Sequence, residues 1–374
     1  MAEYRMCKRC VMDTSDPEIT FDENGVCNHC HTYDRMVRQY VVDGEAGLRE
    51  IEKIAEKIRL DGQGKQYDCV IGVSGGVDST YVAYAVKKYG LRPLAVHLDN
   101  GWDSELAVKN IEETLKRLGI DLYTEVLDWE EFKDLQVSFL KASTPDSEIP
   151  SDHAINAILG RMAEKIGVKY IIIGTNVRTE SHLPRAWSQG HSDWKYIRGL
   201  HQRFGTRPLK TFPHYDFFTF YRRMFTQKRV EILNYIGYNK SEALRVLQDE
   251  LGWRYYGGKH YESIYTRFYQ GFILPEKFGF DKRRSHLSSL ICSGEITREK
   301  ALEELTIPTY SPAMQEEDRE YVAKKLGFSE EEFNVIMKAP KRSYWDYPSY
   351  GQLMNHSFVQ KLVPAVKKIV GWFK

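Results

Sequence analysis

The chain has 374 residues, 28% of them charged, and a formal net charge of +1. That length allows one to three domains with a sizeable core, and the near-neutral balance gives no footing for a bulk nucleic-acid binder. The opening MAEYRMCKRC lacks the apolar segment of a secretion signal, and no run of about 18 apolar residues occurs, so a cytoplasmic protein without a membrane span is expected.

In chain order, the first unit is cysteine-rich. Cys7-x2-Cys10 and Cys27-x2-Cys30 are separated by sixteen residues. Two such pairs supply four thiolates for a tetrahedral Zn²⁺ shell. The intervening TSDPEITFDENGV has the turn chemistry a knuckle needs. Four sulfurs leave no open position, so the site is expected to be structural and residues 1–35 to form a zinc knuckle. His29 or His31 as a ligand is the lesser alternative.

A helical linker, 36–66, carries LREIEKIAEKIR and ends in GQGK. From Asp68 the pattern alternates. Strands are expected at 68–73, 93–99, 121–128 and 169–175, and helices at 80–90, 104–119, 129–141 and 151–167, with Ser104 as an N-cap. Alternating strands and helices imply a doubly wound parallel α/β sheet covered on both faces. Residues 176–215 read as loops. Tyr-rich helical segments follow to about 337. The end, FVQKLVPAVKKIVGWFK, places Phe358, Leu362, Val366, Ile369 and Phe373 on one face of a basic helix. The division expected is 67–200 for the sheet domain and 201–374 for a mainly helical substrate-binding domain.

The chemistry concentrates in Ser74-Gly75-Gly76-Val77-Asp78-Ser79, where a strand hands over to a helix. Two glycines let backbone N–H groups approach an anion, and the helix N-terminus adds partial positive charge. Ser74, Ser79 and Thr80 can donate hydroxyls. Asp78 would repel phosphate unless a Mg²⁺ lies between them, so it reads as a metal ligand. The string is neither a Walker A loop nor a dinucleotide G-x-G-x-x-G.

SGGVDS resembles the loop of the ATP pyrophosphatases, which include asparagine, GMP and NAD synthetases and tRNA-modifying relatives. The resemblance implies an adenine nucleotide alpha-hydrolase-like fold, ATP cleaved to AMP and pyrophosphate, and a loop that holds the β- and γ-phosphates. His97-Leu98-Asp99-Asn100-Gly101-Trp102 falls where that family places adenosine. Gly174-Thr175-Asn176-Val177-Arg178-Thr179-Glu180 is similar to its Gly-Thr-x4-Glu, which implies Glu180 as a second Mg²⁺ carboxylate.

A closer resemblance joins CKRCVMDTSDPEITFDENGVCNHC, the phosphate loop, YYGGKHYESIYTRFYQ and DKRRSHLSSLICSGEITREKAL. Together they resemble the N-acetyl sugar amidotransferases of bacterial surface-polysaccharide pathways. The resemblance implies conversion of an N-acetyl group on a nucleotide sugar to an acetamidino group. ATP would activate the amide oxygen and ammonia would displace AMP. It also implies a two-part partner similar to the glutaminase and cyclase subunits of histidine biosynthesis. No built-in glutaminase is expected: four cysteines are committed to zinc, Cys69 precedes a buried strand, Cys292 reads as packing, and residue 2 is Ala.

On the substrate side, His260 and Glu262 are candidates for proton handling, beside Lys259. Lys282, Arg283, Arg284 and His286 could hold a diphosphate, or form a solvated face. Arg178, His182 and Arg185 follow the last strand and would gate the cleft. Most of the Tyr and Trp between 187 and 269 are expected in the core. Two other functions compete: a tRNA-thiolating relative, for which no cysteine pair remains, and a zinc-ribbon nucleic-acid binder.

Overall fold

The computed structural model describes residues 3–258, 261–309 and 311–354. Helices α1 (Asn28–Tyr40) and α2 (Gly44–Asp61) lead into β1 (Cys69–Gly72), α3 (Val77–Lys88), β2 (Pro93–Asp99), α4 (Glu105–Leu118), β3 (Asp121–Val126), α5 (Trp129–Ala142), α6 (Ile149–Lys165) and β4 (Tyr170–Ile172). There follow α7 (Val177–Glu180), α8 (Trp194–Phe204), α9 (Phe217–Thr226), β5 (Lys228–Val230), α10 (Lys240–Leu251) and α11 (Ile264–Phe268). Helix α11 runs on into a π-helical stretch, Tyr269–Phe278. Helices α12 (Arg283–Ser293), α13 (Arg298–Thr306), α14 (Pro312–Leu326), α15 (Glu330–Lys338) and α16 (Tyr350–Met354) complete the described chain.

The five strands are all parallel, in the order β3-β2-β1-β4-β5. Alternate residues of the central strands feed two cores. Val70, Leu94 and Val96 pack with Phe132 and Phe139 of α5 and Ile158 of α6. Cys69, Ile71 and Ala95 pack with Ile51 and Ile58 of α2, Val86 of α3 and Leu247 of α10. Burial on both faces is why these strands read as continuous apolar runs rather than alternating ones. The expected fold class stands: a doubly wound parallel α/β sheet, a four-cysteine unit at the N-terminus and a helical C-terminal region. Ser104 caps α4 as expected, its Oγ accepting from Ala107 N at 3.2 Å.

Two expectations fail locally. The stretch read as loops contains α7 and α8. Asn176 and Asp193 cap them, accepting from Thr179 N at 3.0 Å and Tyr196 N at 2.9 Å, and Trp194, Ile197 and Leu200 are buried at helical spacing. Those signals were masked by the surrounding His, Arg and Gly. The fifth strand, Lys-Arg-Val, falls inside the stretch expected to be helical, so the sheet draws on residues past 200. Three half-polar residues at a sheet edge carry no readable period. The helix expected over 358–373 lies outside the described residues. Among the described residues, no helix is long and apolar enough to cross a membrane.

The cysteine-rich unit stands on the C-terminal helices. Val11 packs with Leu287 and Ala301. Ser288 Oγ accepts from Val11 N at 3.2 Å, and Arg298 donates to the carbonyls of Cys10 and Cys7 at 3.1 and 3.0 Å.

Candidate functional site

The strand order reverses between β1 and β4, so the loops after these strands part and open a crevice, where ligands bind in sheets of this kind. A cleft of about 1090 Å³ lies there. Gly72–Ser74, Leu98, Asn100 and Ile173–Thr175 place it at the C-terminal ends of β1, β2 and β4.

The turn after β1 is tightly held. Gly75 has φ +79°, and a Cβ there would stand 2.9 Å from the Ala107 carbonyl oxygen, so only glycine fits. Ser79 Oγ accepts from Ser74 N at 3.1 Å and Thr80 Oγ1 donates to Gly76 O at 2.8 Å. Trp253 Nε1 donates to Gly75 O at 3.0 Å from a buried position. The end of β4 closes directly on this turn. A Cβ on Gly174 would stand 3.1 Å from the Asp78 carbonyl carbon and 3.2 Å from Ser79 N. Thus Ser74, Ser79, Gly174 and Thr175 line one end of the cleft, with Glu180 on α7 beside them.

Asp78 Oδ1 accepts from the Tyr238 hydroxyl. Burial first, then the negative charges of Asp78, Glu295 and Glu180, hold that phenol far above its ordinary pKa. Carboxylates therefore converge on Tyr238. Among the described residues, no trio of carboxylates is close enough to share one ion; the groups that are consist of cysteines and one histidine. Mg²⁺ normally takes one or two carboxylates and completes its octahedron with water and phosphate oxygens. Glu180 lines the cleft, while Asp78, at the start of α3, spends one carboxylate oxygen on Tyr238.

Glu262 reaches the same turn. A Cβ on Gly76 would stand 3.5 Å from Glu262 Oε1 and 3.6 Å from the Tyr256 hydroxyl. Burial, then Glu262 and Asp78, push the Tyr256 phenol well up. The segment is pinned there by backbone: Ser104 N donates to Glu262 O at 2.8 Å and Ile264 N to Trp102 O at 3.0 Å. Lys259 and His260 lie outside the described residues.

The basic cluster separates. Lys282 lies 3.5 Å from Glu148 and faces the cleft, its pKa raised although burial opposes it, because Glu148, Asp146 and Asp152 outweigh that cost. Arg283 pairs with Asp281 at 2.7 Å and donates to the carbonyls of Glu304 and Ile307. Arg284 turns away, to Asp13 at 3.1 Å and Val11 O at 2.8 Å, so it braces the cysteine-rich unit rather than the cleft. His286 lines the cleft, with Nδ1 3.2 Å from Thr179 O. Asp99 accepts from Gly101 N at 2.8 Å and shapes the turn after β2, while its neighbours Leu98 and Asn100 face the cleft.

His182 does not gate the cleft. It is fully buried against the cysteine-rich unit, its ring 5.4 Å from that of Tyr33. Arg178 pairs with Asp43. Sequence reasoning missed Tyr238, Trp253 and Tyr256, three aromatics among many, and placed His97 only within the stretch expected to meet adenosine. His97 lines the cleft with Nδ1 2.9 Å from Val73 O and Nε2 3.1 Å from Asp103. Burial opposes its charge, but Asp103 raises its pKa. His191 was also missed. It stands between Asp146 and Asp152 at 3.5 and 3.3 Å, and against the cost of burial these push it up to about 10.

The four cysteines are buried with Sγ–Sγ separations of 3.9 Å (Cys7–Cys30), 3.7 Å (Cys10–Cys27) and 3.8 Å (Cys27–Cys30). Zn–S bonds of about 2.3 Å in a tetrahedron give sulfur–sulfur edges of about 3.8 Å. The donor set and its spacing fit zinc.

The parallel sheet and the glycine turn at its switch point define a doubly wound α/β protein with a cleft at the C-terminal ends of its central strands. Residues 262–362 match the family model described as LPS biosynthesis protein WbpG-like, C-terminal domain. The match supports the family resemblance drawn from the sequence. The chain is 26% identical over 325 residues to the uncharacterized protein MJ1599 of Methanocaldococcus jannaschii, spanning 84% of this chain and 97% of that one. It is 38% identical over 71 residues to tRNA(Ile)-lysidine synthase of Chlamydia pneumoniae, 18% of this chain and 22% of that protein. Among solved structures, NH3-dependent NAD synthetase from Campylobacter jejuni aligns with 79% of this chain and 98% of its own, at 12% identity and TM-score 0.31. NMN synthetase from Francisella tularensis aligns with 35% of this chain and 55% of its own, at 19% identity and TM-score 0.28. Those scores are too low to carry an inference about this chain.

Proposed function

We propose that this chain is an ATP-dependent, AMP-forming amidotransferase that converts an N-acetyl group of a nucleotide-activated sugar to an acetamidino group, in the cytoplasm, for lipopolysaccharide O-antigen assembly. The observation that carries the reading is that Glu262, the first residue of the WbpG-like stretch, stands against Gly76 of the phosphate turn. That contact supports reading the WbpG-like stretch and the glycine turn as parts of one site.

In this reading the backbone from Ser74 to Ser79 holds the β- and γ-phosphates at the N-terminus of α3. Asp78 and Glu180 are the ligands for Mg²⁺, which would neutralise the leaving pyrophosphate. The substrate amide oxygen attacks the α-phosphorus, and the bond to pyrophosphate breaks. Ammonia then adds to the activated carbon, and AMP leaves carrying the former amide oxygen. The sum is amide, ammonia and ATP going to amidine, AMP and pyrophosphate. Nitrogen must lose a proton as it attacks, and Glu262 and His260 are the bases proposed. Lys259, Lys282, Arg283 and His286 are the proposed contacts to the substrate, Arg283 lining the cleft while paired with Asp281; Arg284 is withdrawn from that role by its own partners. Ammonia comes from a glutaminase and cyclase-like pair. Residues 67–200, extended at the sheet edge by β5, act as the ATP unit and the rest of 201–374 as the substrate unit.

The test is an incubation with ATP, Mg²⁺, ammonium and a panel of UDP-N-acetyl sugars, read by mass spectrometry. The expected product is lighter by the difference between an oxygen atom and an NH group, with AMP formed in step. No AMP across the panel, with a glutaminase partner supplied, would sink the reading. The stretch shared with tRNA(Ile)-lysidine synthase makes a tRNA-modifying enzyme the second reading. Retention of tRNA in a filter-binding assay would favour it.

A further inference from the structure

We propose a second soft-metal site beside the first, formed by Cys30, Cys292 and His182, with the Cys30 thiolate bridging two Zn²⁺ ions. Cys292 Sγ lies 3.8 Å from Cys30 Sγ and 3.6 Å from His182 Nε2. All three ligand atoms lie within 4.8 Å of one another. The three residues come from α1, from the turn after α7 and from α12, so no local sequence pattern announces them.

The spacing is that of a coordination shell. Zn–S bonds of about 2.3 Å and Zn–N bonds of about 2.05 Å give tetrahedral edges of about 3.8 Å between two sulfurs and about 3.6 Å between sulfur and nitrogen. Both edges at Cys292 match. Hydrogen bonds prepare the imidazole for the same task. Ser289 Oγ lies 3.2 Å from Ser285 O, to which it donates, and 3.0 Å from His182 Nδ1. In the tautomer in which Nδ1 donates to that hydroxyl, Nε2 presents a bare lone pair to the pocket between the sulfurs. Metal-bound histidines are held in this way, with the second nitrogen donating to a fixed acceptor.

Charge favours a second ion. Four thiolates around one Zn²⁺ leave two uncompensated negative charges, and Cys7, Cys10, Cys27 and Cys30 are fully buried. Adding one more Zn²⁺ with the Cys292 thiolate leaves a single negative charge on the pair of ions. A thiolate sulfur has lone pairs enough to serve both. Sulfur and nitrogen donors select zinc over Mg²⁺ or Ca²⁺. The site has three protein ligands, so unlike the first it keeps an open position.

The second ion would tie the cysteine-rich unit to the cleft. His182 follows Glu180 by two residues, and α12, which carries Cys292, also carries His286 against Thr179 O. His182 and Cys292 would be positioning residues for α7.

The test uses the purified full chain, stripped of metal and titrated with Zn²⁺ and separately with Co²⁺. Native mass spectrometry is expected to find two zinc ions per chain. Cobalt is expected to bind in two steps, each adding thiolate charge-transfer absorption. Cys292→Ser and His182→Gln should each hold one zinc and lose the second cobalt step. Saturation of the unmodified chain at one equivalent overturns the proposal, whether or not the variants fold. So does a Cys292→Ser chain that still holds two.

Discussion

Two neighbouring glycines in the phosphate turn should fail in opposite ways when each is changed to alanine. Gly75→Ala places a Cβ at φ +79° and 2.9 Å from the Ala107 carbonyl oxygen. The left-handed backbone costs about 1–2 kcal/mol for a residue with a side chain, and an overpacked contact against backbone costs about 1–3 kcal/mol more. A loss of roughly 2–5 kcal/mol is a large share of the 5–15 kcal/mol that typically holds a domain. Gly76 has an ordinary φ of −71°, and the three atoms nearest its Cβ belong to side chains: Ser74 Oγ at 3.3 Å, Glu262 Oε1 at 3.5 Å and the Tyr256 hydroxyl at 3.6 Å. Gly76→Ala should therefore cost less than about 1 kcal/mol of stability, yet fill space beside the turn that the phosphates would occupy. Urea midpoints followed by fluorescence of Trp253, whose indole bonds Gly75 O, measure the first effect. Pyrophosphate release measures the second. If Gly76→Ala is as unstable as Gly75→Ala, or turns over normally, the reasoning about this turn is wrong.

Asp78→Asn is the cleaner test of the metal ligand, because it keeps an acceptor for Tyr238; Asp78→Ala would strand a buried hydroxyl at about 1–3 kcal/mol. Pyrophosphate release by Asp78→Asn should fall at least about 100-fold with an unchanged melting curve, and near-normal turnover would remove Asp78 from metal binding. Cys7→Ser should release zinc and lower the melting temperature by more than about 4 °C, whereas a normal melting curve with turnover abolished would mean that the zinc site is not merely structural. The His191 and Asp146 pair gives a pH window. His191 is raised from 6.5 to about 10, so its contribution is full below pH 6.5 and is lost as pH rises through about 10. Asp146 is depressed from 3.8 to about 2, so its contribution is present above pH 3.8 and is lost as pH falls through about 2. Stability should decline from pH 6.5 to 10, and His191→Ala should flatten that decline; parallel curves for the two proteins would refute the pairing.

The sheet could be read in advance where its signals are local. Cys69–Gly72 and Pro93–Asp99 sit between two apolar layers and show it as unbroken apolar runs, and Ser104 and Gly119 mark both ends of α4. Reading failed where the third dimension supplies the reason. Lys228–Val230 becomes a strand because β4 offers it a free edge, not because of any pattern of its own. α8 was hidden because its cap, Asp193, sits in a stretch whose composition suggests loops, and Asp193 is buried beneath Tyr344, which no local window contains.

The same division runs through the site. The glycine turn and the cysteine pairs are contiguous strings, so the residues that the structure gathers at each could be picked out from spacing alone. Their partners are distant. Trp253 and Tyr238 come 178 and 160 residues after the groups they hold, and Arg284 reaches back 273 residues to Val11. Arg284 shows how such distance misleads. As one of three adjacent cations it looked like part of a phosphate clamp, but on α12 successive side chains point about 100° apart. Lys282, Arg283 and His286 therefore line the cleft, Arg283 while paired with Asp281, and Arg284 faces the cysteine-rich unit. One helix start thus serves both the cleft and the cysteine-rich unit. For that reason a change at the zinc cysteines is expected to be felt, weakly, at His286 and the carboxylate of Glu180.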